Sequence, residues 1–322
     1  MPRNRSNNPN FRSNREAGVA LVVVLWLLAL MSFVAAVYAV DSRNQAQAFF
    51  NETGNARART EADAGIHLGI RELLREDSEA GDEPPWLRDG SPYTKEFADS
   101  TLTISLYDES GKIDLNAASE PVLRELGQSL NLDTGAWDKI IDAILDWRDE
   151  DDLKRLNGAE DAAYEQAGLP YRAKNGFFQS IDEIQQVLGV DHGNYRKLAS
   201  AITIYSGRDA INVESAPRKA MLSLPGVLEQ EVDALLATRE ANRYDVPRQT
   251  LPVLTNVSKW LHGDTGPVYT VRSTARTSRG DVFTREAVIW LPEAGKRRYW
   301  VLDWRAARTD KVNKTKDDPE FK

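Results

Sequence analysis

The chain is 322 residues long, 41% hydrophobic and 28% charged, with a formal net charge of −8. Those proportions describe one large or two modest folded domains and exclude a disordered polyelectrolyte, while the negative balance disfavours a nucleic-acid surface. With no cysteine, a domain outside the cytoplasm must be held by its core, a bound metal or partner subunits in place of disulfides.

The first element is a charge-free run of 22 residues, Val19 to Val40, behind a leader that carries Arg3, Arg5, Arg12 and Arg15. At 1.5 Å per residue such a helix spans about 33 Å, enough to cross a hydrocarbon core with its backbone satisfied internally. The leader arginines place the N-terminus in the cytoplasm and the remainder across the membrane in a single pass. A secretory signal is the competing reading, but its apolar core runs only about 7–15 residues.

A third reading puts cleavage before the run. REAG followed by VALVVVLWLLAL resembles the leader and first helix of type IV pilins and pseudopilins. The resemblance implies cleavage and N-methylation at Gly18 and Val19 by a prepilin peptidase, leaving a mature chain of charge −11. Most of that superfamily carries glutamate at the fifth mature position, where this chain has Val23. An unpaired carboxylate at mid-membrane costs about 2.5–3.5 kcal/mol, so a subunit with no neighbour above it gains by dropping it. The omission fits a filament tip.

Ala46, Phe49, Phe50, Thr53, Ala56, Ala64, Ile66, Ile70, Leu73 and Leu74 recur at helical spacing, so the first helix continues to about Asp77. SEAGDEPPWLRDGSP reads as a loop on its glycines and prolines. Residues 101–108 alternate Leu102, Ile104 and Leu106 with polar residues and predict a half-buried strand; 268–277 and 282–291 predict a hairpin closed at Ser278–Asp281.

Between these strands, residues 115–262 have little strand signal and several helix starts, including the capping box Ser180 to Glu183. A weak repeat aligns IDLNAASEPVLREL from Ile113 with INVESAPRKAMLSL from Ile211. The second copy runs into Leu224-Pro225-Gly226-Val227, similar to the hairpin of helix-hairpin-helix DNA-binding modules. Glu229, Glu231 and Asp233 beside it would repel phosphate, which favours a packing hairpin.

The main candidate for site chemistry is DWRDEDDLKRLNGAED, which gathers Asp146, Asp149, Asp151, Asp152, Glu160 and Asp161. From Asp133 to Asp191 there are fourteen acidic and six basic residues, an excess that needs a counter-ion or a solvated face. Oxygen donors without cysteine favour calcium over zinc. Counting from Asp149 as the first position of an EF-hand puts Glu160 at the twelfth, but Leu153 and Lys154 replace the expected acid and glycine. A solvated acidic loop is the alternative.

DWRDEDD, then NGAED, Tyr164 and LPYRAKN resemble the signature of the minor pseudopilin K family of type II secretion. The resemblance implies an α+β fold: a long N-terminal membrane helix with a pilin-like antiparallel sheet interrupted by a large inserted α-helical domain. It divides the chain into a leader (1–18), the helix (19–77), a first pilin-like part (78–114), the helical insertion (115–262) and a hairpin with a tail (263–322). It further implies calcium on the Asp149 to Asp161 loop, with Asp149, Asp151, Glu160 and Asp161 as ligands. Asn175 is a further oxygen or a brace, and Trp147 packs beneath the loop.

The implied role is at the tip of a pseudopilus in the bacterial inner membrane, with the C-terminal domain in the periplasm. Partners would be minor pseudopilins I and J and the prepilin peptidase, with a secreted substrate or the outer-membrane secretin beyond them. No nucleic acid is expected. No enzyme is expected either: His67, His192 and His262 are isolated, and neither HExxH nor GxSxG occurs. The rival classes are a membrane-anchored DNA-uptake protein and an anchored metallohydrolase. The last dozen residues read as disordered.

Overall fold

A computed structural model describes residues 13–75, 84–242, 249–294 and 296–307, with side-chain environments from residue 20 onward. The chain divides into two compact units, residues 1–57 and 58–322. The leader's start and the chain's last residues, 308–322, lie outside the described residues, as does Asp77.

Helix α1 runs Ser13–Leu73. Its stretch from Ala20 is the one helix among the described residues long and apolar enough to cross a membrane. Within the first unit the apolar side chains from Leu21 to Val40 are exposed, Trp26 and Tyr38 among them, as expected of a surface made for lipid or other helices.

In the second unit the periodicity of α1 is used against a sheet. Ala58, Ala62, Ile66, Ile70 and Leu73 are buried at helical spacing, and Gly65 and Gly69 share that face, where a Cβ would collide with Ser273 and Val271. Arg285 Nε reaches Asp63 at 2.5 Å beside this contact.

The sheet holds β1 (Asp89–Phe97), β2 (Ser100–Asp108), β7 (Val268–Thr277), β8 (Val282–Trp290) and β9 (Trp300–Ala307), antiparallel in that order. Leu102, Ile104 and Leu106 of β2 and Val271, Ala275, Ala287 and Ile289 of β7 and β8 form the face under α1. β2 and β7 are hydrogen-bonded neighbours although some 160 residues separate them, pairing Leu106 with Val271 and Ile104 with Ser273. The fold is therefore α+β: an N-terminal helix that is apolar at its start and whose end, from Ala58 to Leu73, packs on an antiparallel sheet with strands split by intervening helices.

Two strands depart from the sequence reading. β1 takes up the end of the segment read as a loop, because an edge strand pairs on one side only and tolerates Gly90 and Pro92. β9 falls in the unassigned basic-aromatic segment; an extra residue, Leu302, sits where its register with β8 shifts, which hides the alternation.

The intervening body contains β3 (Ile113–Asp114), α2 (Glu120–Ser129), α3 (Thr134–Arg148), α4 (Asp161–Gln166), α5 (His192–Leu198), β4 (Ile202–Thr203), β5 (Ile211–Asn212), α6 (Arg218–Met221), α7 (Glu229–Ala241) and β6 (Leu261–His262). Its core is continuous from Leu115 and Leu123 through Trp137, Ile141 and Ile144 to Val232 and Trp260. Each fully buried aliphatic side chain there contributes about 1.5–3 kcal/mol.

The repeat is structural as well as sequential. Asp114 and Asn212 each end a two-residue strand and accept the amide two residues on, from Asn116 at 2.8 Å and Glu214 at 2.9 Å. Their carbonyls accept the amides of Ala118 and Ala216, and both alanines are buried. The Pro225–Gly226 hairpin joins α6 to α7, with Gly226 at φ +86° and Leu224 buried. The capping box takes a tighter form, a 3₁₀ turn over Ile181–Gln186, with Glu183 reaching back to the Gln179 amide at 2.9 Å.

Candidate metal centre

The acidic loop begins where α3 stops. Asp133 caps its N-terminus by accepting the Ala136 amide at 2.8 Å, and at the other end Asp149 leaves the helix in an extended conformation. Three-residue spacing then turns Asp146 inward and sets Asp149 over the helix end. Trp147 is buried beneath, its ring 5.8 Å from Tyr164 and 6.3 Å from Phe178, and its Nε1 donates to Glu183 at 3.0 Å.

Asp146 is fully buried. It accepts the Arg155 amide at 3.3 Å, and the Arg155 guanidinium lies 3.4 Å from it and 3.6 Å from Asp149. Gly158 closes the loop over Asp146; a Cβ there would overlap its carboxylate. Burial raises both carboxyls above their ordinary pKa, helped by repulsion from neighbouring aspartates and opposed by Arg155.

Glu160, at the N-cap of α4, makes no capping hydrogen bond and points into this cluster at 7% exposure. Burial, and then the charges of Asp146, Asp149, Asp152 and Asp151, push its pKa up to about 7. Across the loop, Asn175 holds a left-handed backbone at φ +49°. Its Nδ2 donates to Asp152 Oδ1 at 2.7 Å, which fixes the amide so that Oδ1 faces the other way. The Gly176 amide donates to the Trp147 carbonyl at 3.1 Å and pins this segment to α3.

The result is a group of buried acceptors with nothing to accept. Asp149 Oδ1, both Glu160 oxygens and Asn175 Oδ1 have no hydrogen-bond partner. Each unsatisfied buried acceptor costs about 1–3 kcal/mol, more when charged. Four hard oxygens from two carboxylates and an amide are the donor type that a calcium ion takes, so the residues present fit that ion.

Of the four residues expected as ligands, Asp149 and Glu160 carry the buried oxygens that lack a hydrogen-bond partner. Asp151 stands on the exposed rim, where it accepts the Leu153 amide at 2.8 Å, and Asp161 opens α4 with its carboxylate 3.2 Å from Arg172. Among the described residues no three His, Cys, Asp or Glu side chains converge as a metal site; the orphaned oxygens of this segment belong to two acids and to Asn175. In the EF-hand count Arg155 enters only through its carbonyl, at the seventh position; the structure adds its guanidinium, a half-exposed counter-ion beside Asp146 and Asp149.

Comparison with known proteins points one way. Residues 103–207, which include the whole loop, match the family model for type II secretion system protein K. Over 213 residues the chain is 30% identical to type II secretion system protein K of Pectobacterium carotovorum subsp. carotovorum, covering 58% of this chain and 62% of that protein's length. It is 26% identical over 284 residues to the Dickeya chrysanthemi protein K, covering 70% and 78%. The crystal structure of the GspK-GspI-GspJ complex from enterotoxigenic Escherichia coli contains a chain similar in fold at TM-score 0.56 and 18% identity, over 83% of this chain and all of that one.

Proposed function

We propose that this chain, a relative of type II secretion system protein K, works as a minor pseudopilin at the tip of a secretion pseudopilus. The observation that carries the reading is the interruption between β2 and β7. A pilin-like helix and sheet are split by a helical body of some 150 residues, too bulky to repeat along a filament but suited to its end. The family match, residues 103–207, runs from β2 into that helical body.

The apolar helix from Val19 would anchor the subunit in the inner membrane until it packs against partner helices, with the C-terminal body in the periplasm. Prepilin peptidase would cut after Gly18 and methylate Val19. Val23 in place of the usual glutamate suits a subunit with none above it. Minor pseudopilins I and J are the expected partners, and the role of the body is to start or cap assembly and so support export.

Asp149, Glu160 and Asn175 would hold a calcium ion, which supplies the counter-charge these oxygens lack. With it bound, the α3 end, the α4 start and the Asn175 segment would be tied into one rigid loop. The part this chain plays is structural, not catalytic.

The test is co-expression of the full chain with minor pseudopilins I and J. Recovery of a ternary complex supports the reading, and failure of either partner to co-purify sinks it. Deleting residues 115–262 should alter filament length and secretion; unchanged filaments would remove the capping role.

A further inference from the structure

We propose that the outer edge of β9 is a docking site for an extended segment of another polypeptide, which adds to the sheet as a sixth strand. That segment would be apolar along its length and acidic where it meets Lys296, Arg297 and Arg298. The inference goes beyond the tip reading and does not depend on it.

The two edges of the sheet are built differently. β1 carries Pro92, Lys95 and Glu96 and a register break between Asp89 and Pro92, the features that spoil pairing along an edge. β9 closes the other side, and among the described residues no strand lies beyond it. It has neither proline nor lysine. Its Trp300, Val301 and Leu302 are 44–46% exposed.

Both faces of that edge offer apolar area. Trp300 lies opposite the exposed Trp290 on one face, while Val301 and Trp304 lie opposite the buried Ile289 and Ala287 on the other. A strand laid alongside would cover side chains on both faces while its backbone took up the edge groups that no described strand pairs. The Trp304 amide now turns to the Asp303 carboxylate at 2.7 Å, a local substitute for a strand partner.

Charge selects the occupant. Lys296, Arg297 and Arg298 are exposed just before β9, and the Arg297 guanidinium sits 4.3 Å over the Trp300 ring. Within the strand, Arg305 is already paired with Glu286 and Asp303, so the cationic end is the one that asks for acid. Tryptophan beside arginine is the composition of interface hot spots. A lipid surface fits poorly, because hydrocarbon offers no partners to a row of unpaired N–H and C=O groups.

The absence of cysteine makes a direct test simple. Single cysteines replace Val301, Leu302 or Asp303 in the full chain, with Lys95→Cys on β1 as control, and are labelled with a benzophenone maleimide and photolysed in membranes of the producing cell. The expected result is adducts from β9 to one acidic, apolar segment of another protein, none from β1, and their loss when Lys296, Arg297 and Arg298 are all changed to glutamate with the unfolding midpoint unchanged. Adducts only to lipid or to a second copy, equal labelling from β1, insensitivity to charge reversal, or no adducts would each overturn the proposal. Co-purification of minor pseudopilins I and J tests the tip reading separately.

Discussion

Arg148 and Arg239 grip equivalent carbonyls in two copies of one turn. Arg148 donates to the Leu115 and Ala118 carbonyls at 2.5 and 2.7 Å, and Arg239 to those of Val213 and Ala216 at 3.4 and 2.6 Å. Each comes from the last turn of a helix, α3 or α7, so each closes its own copy of the repeat. Arg239 alone also meets a carboxylate, Asp89 of β1, at 2.9 Å, and so ties the second copy to the sheet.

Loss of either arginine leaves buried carbonyls unsatisfied, but only Arg239→Met also strands the Asp89 carboxylate, whose side chain is 9% exposed. Arg148→Met is expected to cost about 1–3 kcal/mol, and Arg239→Met about 3–5 kcal/mol. Urea unfolding of the two variants measures the difference, and equal losses would refute the added role of Arg239.

Asp89 supplies a second check. Burial would raise its carboxyl, but the Arg239 guanidinium and hydrogen bonds from Ser91 hold it below the ordinary value. A depressed pKa contributes stability above the unfolded value, 3.8, that is lost as pH falls through the folded one. Asp89→Asn should therefore flatten the acid limb of a stability profile below about pH 4, relative to the parent.

Glu160 has the opposite sign. Its pKa of about 7 against an ordinary 4.5 means that the folded state keeps a proton the unfolded chain has released. In chelator, stability should fall as pH rises from about 4.5 to 7, with each tenfold difference in proton affinity between the two states worth about 1.4 kcal/mol at most. Glu160→Gln should abolish that fall and raise the melting temperature at neutral pH in chelator. An unchanged pH profile would contradict the burial of its charge.

Added calcium should raise the melting temperature of the parent, by about 2.7 kcal/mol of stability at a hundredfold excess over the dissociation constant. Asn175→Ala and Glu160→Gln should each blunt that response, whereas Asp161→Asn, whose carboxylate faces Arg172, should leave most of it. Equal loss in all three would put Asp161 back among the ligands. A parent indifferent to calcium, with no metal bound by elemental analysis, would reduce the loop to a solvated face.

Gly158→Ala should destabilise by about 1–3 kcal/mol, because its Cβ would enter the space of the buried Asp146 carboxylate. Asp146→Ala in the same chain should relieve much of that penalty, and the double-mutant cycle reads the coupling directly.

What the sequence determined by itself was what periodicity and charge carry. The apolar run behind four arginines reports a membrane-length helix by its length alone, while the helical spacing through Ile66 and Ile70 and the alternation of Leu102, Ile104 and Leu106 report burial on one face, which a linear pattern encodes. The tertiary structure decided which acids face inward. Asp149 and Glu160 are eleven residues apart, and Asp151 and Asp161 look equivalent to them in the chain. The end of α3 and the start of α4 leave Asp149 Oδ1 and both Glu160 oxygens without a hydrogen-bond partner, whereas the Asp151 and Asp161 carboxylates meet the Leu153 amide and Arg172. It also decided the edge strands, because among the described residues β1 and β9 each pair on one side only and so carry little of the alternation by which a strand is read.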